Sequence, residues 1–142
     1  MNNHRSLMRR LLTGLLALCL SVPVLAAGGD IQGHSKWAGQ YDYPDGRAAV
    51  PFSLELNVSR DGHLKGHSKE PATFGNGSSP FLIADLHGNV DGDRIEFIKS
   101  YNGEGGATHS VRYQGTLSDG GQRIKGEWNI DNYRGSFQAM RD

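Results

Sequence analysis

From Leu86 to Leu117 the chain reads LHGNVDGDRIEFIKSYNGEGGATHSVRYQGTL. Apolar residues recur at alternate positions in three runs, broken by Asp91-Gly92-Asp93 and by the glycine-rich Asn102 to Ala107. A repeat of two is the period of a β-strand, and a helix would repeat every ~3.6 residues. Short turns between such runs imply consecutive antiparallel strands with one face in a core and the other in water.

The alternation continues in both directions. Strands are expected at about Lys36 to Tyr43, Val50 to Ser59, His63 to Glu70, Phe81 to Asp91, Arg94 to Tyr101, Thr108 to Ser118, Gln122 to Ile130 and Tyr133 to Met140. Pro44-Asp45-Gly46, Arg60-Asp61-Gly62, Gly92-Asp93, Gly120-Gly121 and Asp131-Asn132 supply tight breaks, and Arg60-Asp61-Gly62 suits a hairpin loop with glycine in the left-handed conformation. Pro71 to Pro80 and Asn102 to Ala107 make longer loops. These turns set the register: Leu56 opposite Gly66, Val90 opposite Ile95, Leu117 opposite Ile124, Gly126 opposite Phe137 and Trp128 opposite Gly135. A glycine facing a ring leaves room for it inside a narrow barrel.

The N-terminal segment follows a different pattern. Arg5, Arg9 and Arg10 precede an apolar run from Leu11 to Leu25 that is too short to span a bilayer, and small residues follow it. Residues 1–26 therefore read as a secretory signal peptide, cleaved after Ala26 or Ala27, and residues 27–35 as a flexible lead-in to a single domain over 36–142. Cys19 follows Leu18, where a lipoprotein signal wants a small residue. Removing the signal leaves 12 of the 15 basic residues against 15 acidic ones, a net charge of about −3, and no cysteine. A disulfide-free domain of this size must hold itself together by its core. The dispersed, mildly acidic charge offers no basic patch for nucleic acid and, once the signal is gone, no basic amphipathic helix for a membrane. The expected location is secreted or periplasmic.

About eight strands in simple succession, with no helix pattern, point to an all-β up-and-down barrel, because closure removes the exposed edges of an open sheet. Trp37-Ala38-Gly39 opening the first strand, Gly126-Glu127-Trp128, and the hairpin meander resemble the avidin- and lipocalin-like (calycin-type) small barrels. That resemblance implies a barrel with a ligand-sized mouth. It identifies no ligand, and no functional residue is carried over from it.

Strand direction sorts the connections into two ends. The turns at Asp61-Gly62, Gly92-Asp93 and Gly120-Gly121 share one end, and the longer loops share the other, where barrels and loops tend to carry binding groups. Inward parity at the loop end collects Tyr41, Tyr43, Ser68, Glu70, Lys99, Tyr101, His109 and Trp128. Ser68, Ala84, Tyr101 and His109 form one row, with Lys99 one row deeper and Glu70 one row nearer the mouth. Inward charge is costly unless paired or hydrated. The set therefore reads as a pocket for a small, partly polar organic ligand, bound without catalysis, or as an ion pair plugging the barrel. The aromatic members also suit core filling.

Two further functions stay open. The loops at 71–80 and 102–107 could serve a protein partner, as in a periplasmic inhibitor. Lys99 with His109 could serve a small barrel enzyme as acid, base or Schiff-base former. No cofactor motif is present: Gly75-Asn76-Gly77-Ser78-Ser79 lacks the lysine and helix of a phosphate loop. No metal site is expected either. His63 and His67 share a face but sit ~13 Å apart along a strand, and His67 with Asp85 and His87 with Lys65 read as solvated surface pairs.

Overall fold

The computed structural model describes residues 31–142. The segment read as a signal peptide, and residues 27–30 of the lead-in, lie outside the described residues. The alternation becomes eight strands: β1 (Gly33–Asp42), β2 (Val50–Val58), β3 (His63–Pro71), β4 (Phe81–Asp91), β5 (Arg94–Tyr101), β6 (Ser110–Ser118), β7 (Arg123–Ile130) and β8 (Tyr133–Arg141). In β2, Val50, Phe52, Leu54, Leu56 and Val58 are buried and each residue between them is exposed. The remaining described structure is turn and loop, with a short 3-10 turn at Glu104–Gly106.

Each strand pairs antiparallel with its sequence neighbours, and β8 returns to β1 through pairs from Trp37↔Arg141 to Asp42↔Ser136, closing the barrel. The expected hairpin pairs all occur: Leu56↔Gly66, Val90↔Ile95, Leu117↔Ile124, Gly126↔Phe137 and Trp128↔Gly135. Gly62 carries the anticipated positive φ of 88°, and its amide donates to the Ser59 carbonyl across the β2–β3 turn.

An eight-stranded barrel is just wide enough for side chains to fill it. Here the waist is closed by rings. Phe97 stacks on Tyr113 with centroids 5.0 Å apart, and Phe137 meets Tyr113 edge-on at 5.0 Å. Gly88 lies opposite Phe97 and Gly126 opposite Phe137. A Cβ on either glycine would collide with a neighbouring strand's carbonyl oxygen, that of Glu96 or of Gln114. Below the waist, Leu56, Val58, Leu64, Val90, Ile95, Leu117 and Ile124 form the apolar core of the tight end.

Three strand starts differ from the sequence expectation, that of β7 by the single residue from Gln122 to Arg123. β1 begins at Gly33, so Gly33 to Ser35 of the lead-in are strand. Ser35 faces inward, where its hydroxyl accepts the Trp37 indole N–H at 2.8 Å, and Ile31 is fully buried. Isolated polar residues hid this strand because their partners lie inside the barrel. β6 begins at Ser110, which leaves His109 in the preceding loop and exposed rather than inward on the strand. Its carbonyl nevertheless accepts the Tyr101 amide at 3.1 Å, continuing the register by one step.

Candidate functional site

β1, β3, β5 and β7 carry Tyr41, Ser68, Glu70, Lys99, Tyr101 and Trp128 to the loop end, where Tyr43 and His109 join them from the adjoining loops, in two layers. The lower layer is charged and sealed. Glu70 and Lys99 are 1% and 2% exposed, and their side chains form a direct ion pair between Glu70 Oε2 and Lys99 Nζ. The second carboxylate oxygen accepts the Tyr101 hydroxyl at 2.6 Å and the Tyr41 hydroxyl at 3.1 Å. Lys99 lies deeper on β5 than Tyr101, and its long stem passes the Tyr101 row to reach Glu70. Its ammonium also sits 4.7 Å from the Tyr101 ring centroid and 5.2 Å from that of Tyr41. Ser68 is buried on the Tyr101 row, and its hydroxyl has no hydrogen-bond partner among the described residues.

Burial governs the titration of this layer. It pushes Lys99 below the ordinary lysine value while the Glu70 charge pulls the other way. Burial first, then the Glu70 charge, raises both Tyr41 and Tyr101 far above the usual phenol range, so both hydroxyls stay protonated and able to donate. The arrangement is an ion pair plugging the barrel, with each charge compensated in place.

The upper layer is aromatic, and its rim of Tyr43, Phe74, His109 and Tyr133 reaches solvent. Tyr41, Tyr43 and Trp128 meet pairwise edge-to-face, with centroids 5.5 to 6.2 Å apart. Across the mouth, Phe74 packs edge-on against Tyr101 at 5.5 Å, and His109 tilts over Tyr101 at 4.7 Å. Tyr133 completes the rim, where its hydroxyl donates to Asp45 at 3.0 Å. Arg47 lies flat over the Tyr43 ring at 3.8 Å and forms an ion pair with Asp45, whose carboxyl its hydrogen bonds lower to about 2. Partial burial, then the Lys99 charge, lowers the His109 pKa below the ordinary histidine value. Between the two aromatic groups lies a cavity of about 60 Å³.

Of the residues selected by parity, Tyr41, Tyr43, Tyr101, His109 and Trp128 line this cavity, whereas Ser68, Glu70 and Lys99 do not. Phe74 and Tyr133 also line it, and inward parity at the loop end had not gathered them. Phe74 lies in an irregular loop where parity has no meaning. A lone aromatic in a Gly/Ser/Pro stretch was the available signal.

The loops above Phe74 are tied together. The Asn76 amide donates to the Gly105 carbonyl at 2.8 Å, and Ser79 Oγ donates to Glu104 at 3.0 Å. On the outer wall, His67 meets Asp85 at 3.0 Å and His63 meets Asn89 at 3.1 Å, both exposed. Among the described residues, no group of three or more His, Cys, Asp or Glu is gathered so as to hold a metal ion. No protein-family model and no curated protein matches the chain. The closed eight-stranded meander is compatible with the calycin-like layout, and the likeness rests on architecture.

Proposed function

We propose that the mature chain is an exported, periplasmic or secreted binding protein that takes part of a small, partly polar organic molecule into its aromatic mouth, without catalysis. The observation that carries this reading is the contrast between the two layers. The charged residues are sealed and mutually satisfied, while rings from β1, β5, β6, β7, β8 and three loops surround a cavity open to solvent. Concave, mostly apolar sites with a few polar groups are where small molecules bind. The cavity is too small to enclose a whole ligand of ordinary size, so the mouth grips one end of it. Lys99, held by Glu70 beneath the mouth, acts in this reading as a supporting group rather than a nucleophile. Export rests on the N-terminal basic and apolar segment.

Native mass spectrometry of the protein purified from its own secretion route tests the reading. A co-purified molecule of defined mass is expected, present in the wild type and lost from Tyr43→Ala with the fold retained. Its retention in Tyr43→Ala would move the site elsewhere.

A second reading, a protein-binding module such as a periplasmic inhibitor, is favoured by the Asn76–Gly105 link. That bond presents the segments 72–80 and 102–109 as one preformed surface, and preformed surfaces lose little freedom on docking. In that case Phe74→Ser abolishes binding to an isolated partner while Tyr43→Ala leaves it intact.

A further inference from the structure

From the cavity's shape and chemistry we infer that the group gripped in the mouth is a quaternary ammonium head, such as the trimethylammonium end of a choline-like molecule. This inference rests on the mouth being a ligand site and names the chemistry that fits it. Size comes first. A water needs about 10–15 Å³ of such space, so a cavity of about 60 Å³ holds roughly four or five heavy atoms. A trimethylammonium head with the methylene that carries it, one nitrogen and four carbons, has that size.

The wall chemistry agrees. Rings set nearly perpendicular to one another, as Tyr41, Tyr43 and Trp128 are on one side and Phe74 and Tyr101 on the other, present ring faces and edges from several directions. A cation attracted to such faces needs no hydrogen bond. Hydrogen bonds are scarce here. The hydroxyls of Tyr41, Tyr101 and Tyr133 and the indole N–H of Trp128 are already donated, to Glu70, Glu70, Asp45 and the Asp42 carbonyl. An anion or a sugar carries several polar groups and would find few partners left at the wall, the Tyr43 hydroxyl and the His109 ring, and unmatched polar groups are costly. A primary ammonium would give up its hydration for few acceptors, the His109 ring nitrogen among them, since Glu70 is enclosed. A methylated ammonium has no N–H to satisfy.

Charge is also complementary. Beneath the cavity Lys99 and Glu70 cancel. In the loop-end connections Asp45, Glu104 and Asp131 outnumber Arg47. His109 is the titrating group at the cavity wall, with Lys99 and Glu70 below it and Asp45 and Arg47 across the rim. Its lowered pKa keeps it neutral at pH 7.5. Acidification protonates it and places a positive charge beside the bound cation.

The test compares choline with 3,3-dimethylbutan-1-ol, its neutral isostere of the same shape, and with ethanolamine, by titration followed at the Trp128 indole N–H in nuclear magnetic resonance. Choline is expected to bind at least about fivefold tighter than the isostere, the scale of a cation held against aromatic faces. Ethanolamine should shift nothing. Tyr43→Leu, which lies outside the strands, should lose choline binding with the rest of the spectrum unchanged. Choline affinity should fall in the wild type as the pH is lowered through the His109 titration and stay level in His109→Phe. Equal binding of choline and the isostere would overturn the ammonium inference and leave the mouth as an apolar ligand site. If neither binds while a co-purified molecule occupies the mouth, the ammonium inference alone fails. If nothing binds there, both fail.

Discussion

Lys99 is the residue whose environment decides most. Its ammonium sits between an aromatic wall and one carboxylate, and that carboxylate also receives two tyrosine hydroxyls. Removing one member of a buried pair strands the other, which typically costs about 3–5 kcal/mol, whereas replacing both with apolar residues of similar volume is often neutral. Lys99→Met alone should therefore lower unfolding free energy in urea by about that amount. The Glu70→Leu/Lys99→Met variant should recover most of the loss once Tyr41→Phe and Tyr101→Phe also remove the two hydroxyls that Glu70 accepts. Additive losses would show that the pair is not the unit of stability. Side-chain parity was enough to send both residues inward, and burial cost was enough to pair them. It could not show that a long lysine stem bypasses the Tyr101 row, nor that Phe74 folds over the mouth from a loop with no periodicity. Those placements depend on rotamers and on loop closure.

At the scale of the strand, the inward glycines set how sharply the sheet bends. Gly88 faces Phe97 on β5, and a methyl group there would strike the Glu96 carbonyl oxygen, a backbone atom with nowhere to go. Gly88→Ala should destabilise by at least about 3 kcal/mol, the upper range for overpacking, and shift the denaturation midpoint to correspondingly lower urea. A loss below about 1 kcal/mol would mean that the strands separate easily at this point. Gly33→Ala is the control, since its Cβ would meet nothing within 4 Å although its φ of 86° adds some strain. Strand order and hairpin register were readable because short turns fix which residues face each other. Closure of the barrel was also expected, but the register of the closing β1–β8 pair was not readable, because no turn joins them. Their offset follows from how far the sheet coils before it meets itself. The start of β1 was hidden for a related reason: Ser35 counts as polar in a pattern, yet it is buried against Trp37.

Considered whole, the molecule is a sheet without edges. A chain ending at Asn132 loses β8 and leaves β1 and β7 with unpaired backbone along their lengths, which invites pairing with other chains. That truncation should convert a monodisperse protein into aggregates in size-exclusion chromatography. A soluble monomer with an intact β spectrum would mean that the seam contributes little. Because the ring-packed waist divides the interior, the two ends of the barrel behave differently: one is an ordinary apolar core, the other a charged floor under an aromatic rim.

The single backbone bond from Asn76 to Gly105 has a consequence for timing. Two loops that share it cannot lift one at a time, so any guest wider than the resting aperture must wait for both to swing together. The exchange of the Asn76 amide with heavy water then reports how readily the two loops part.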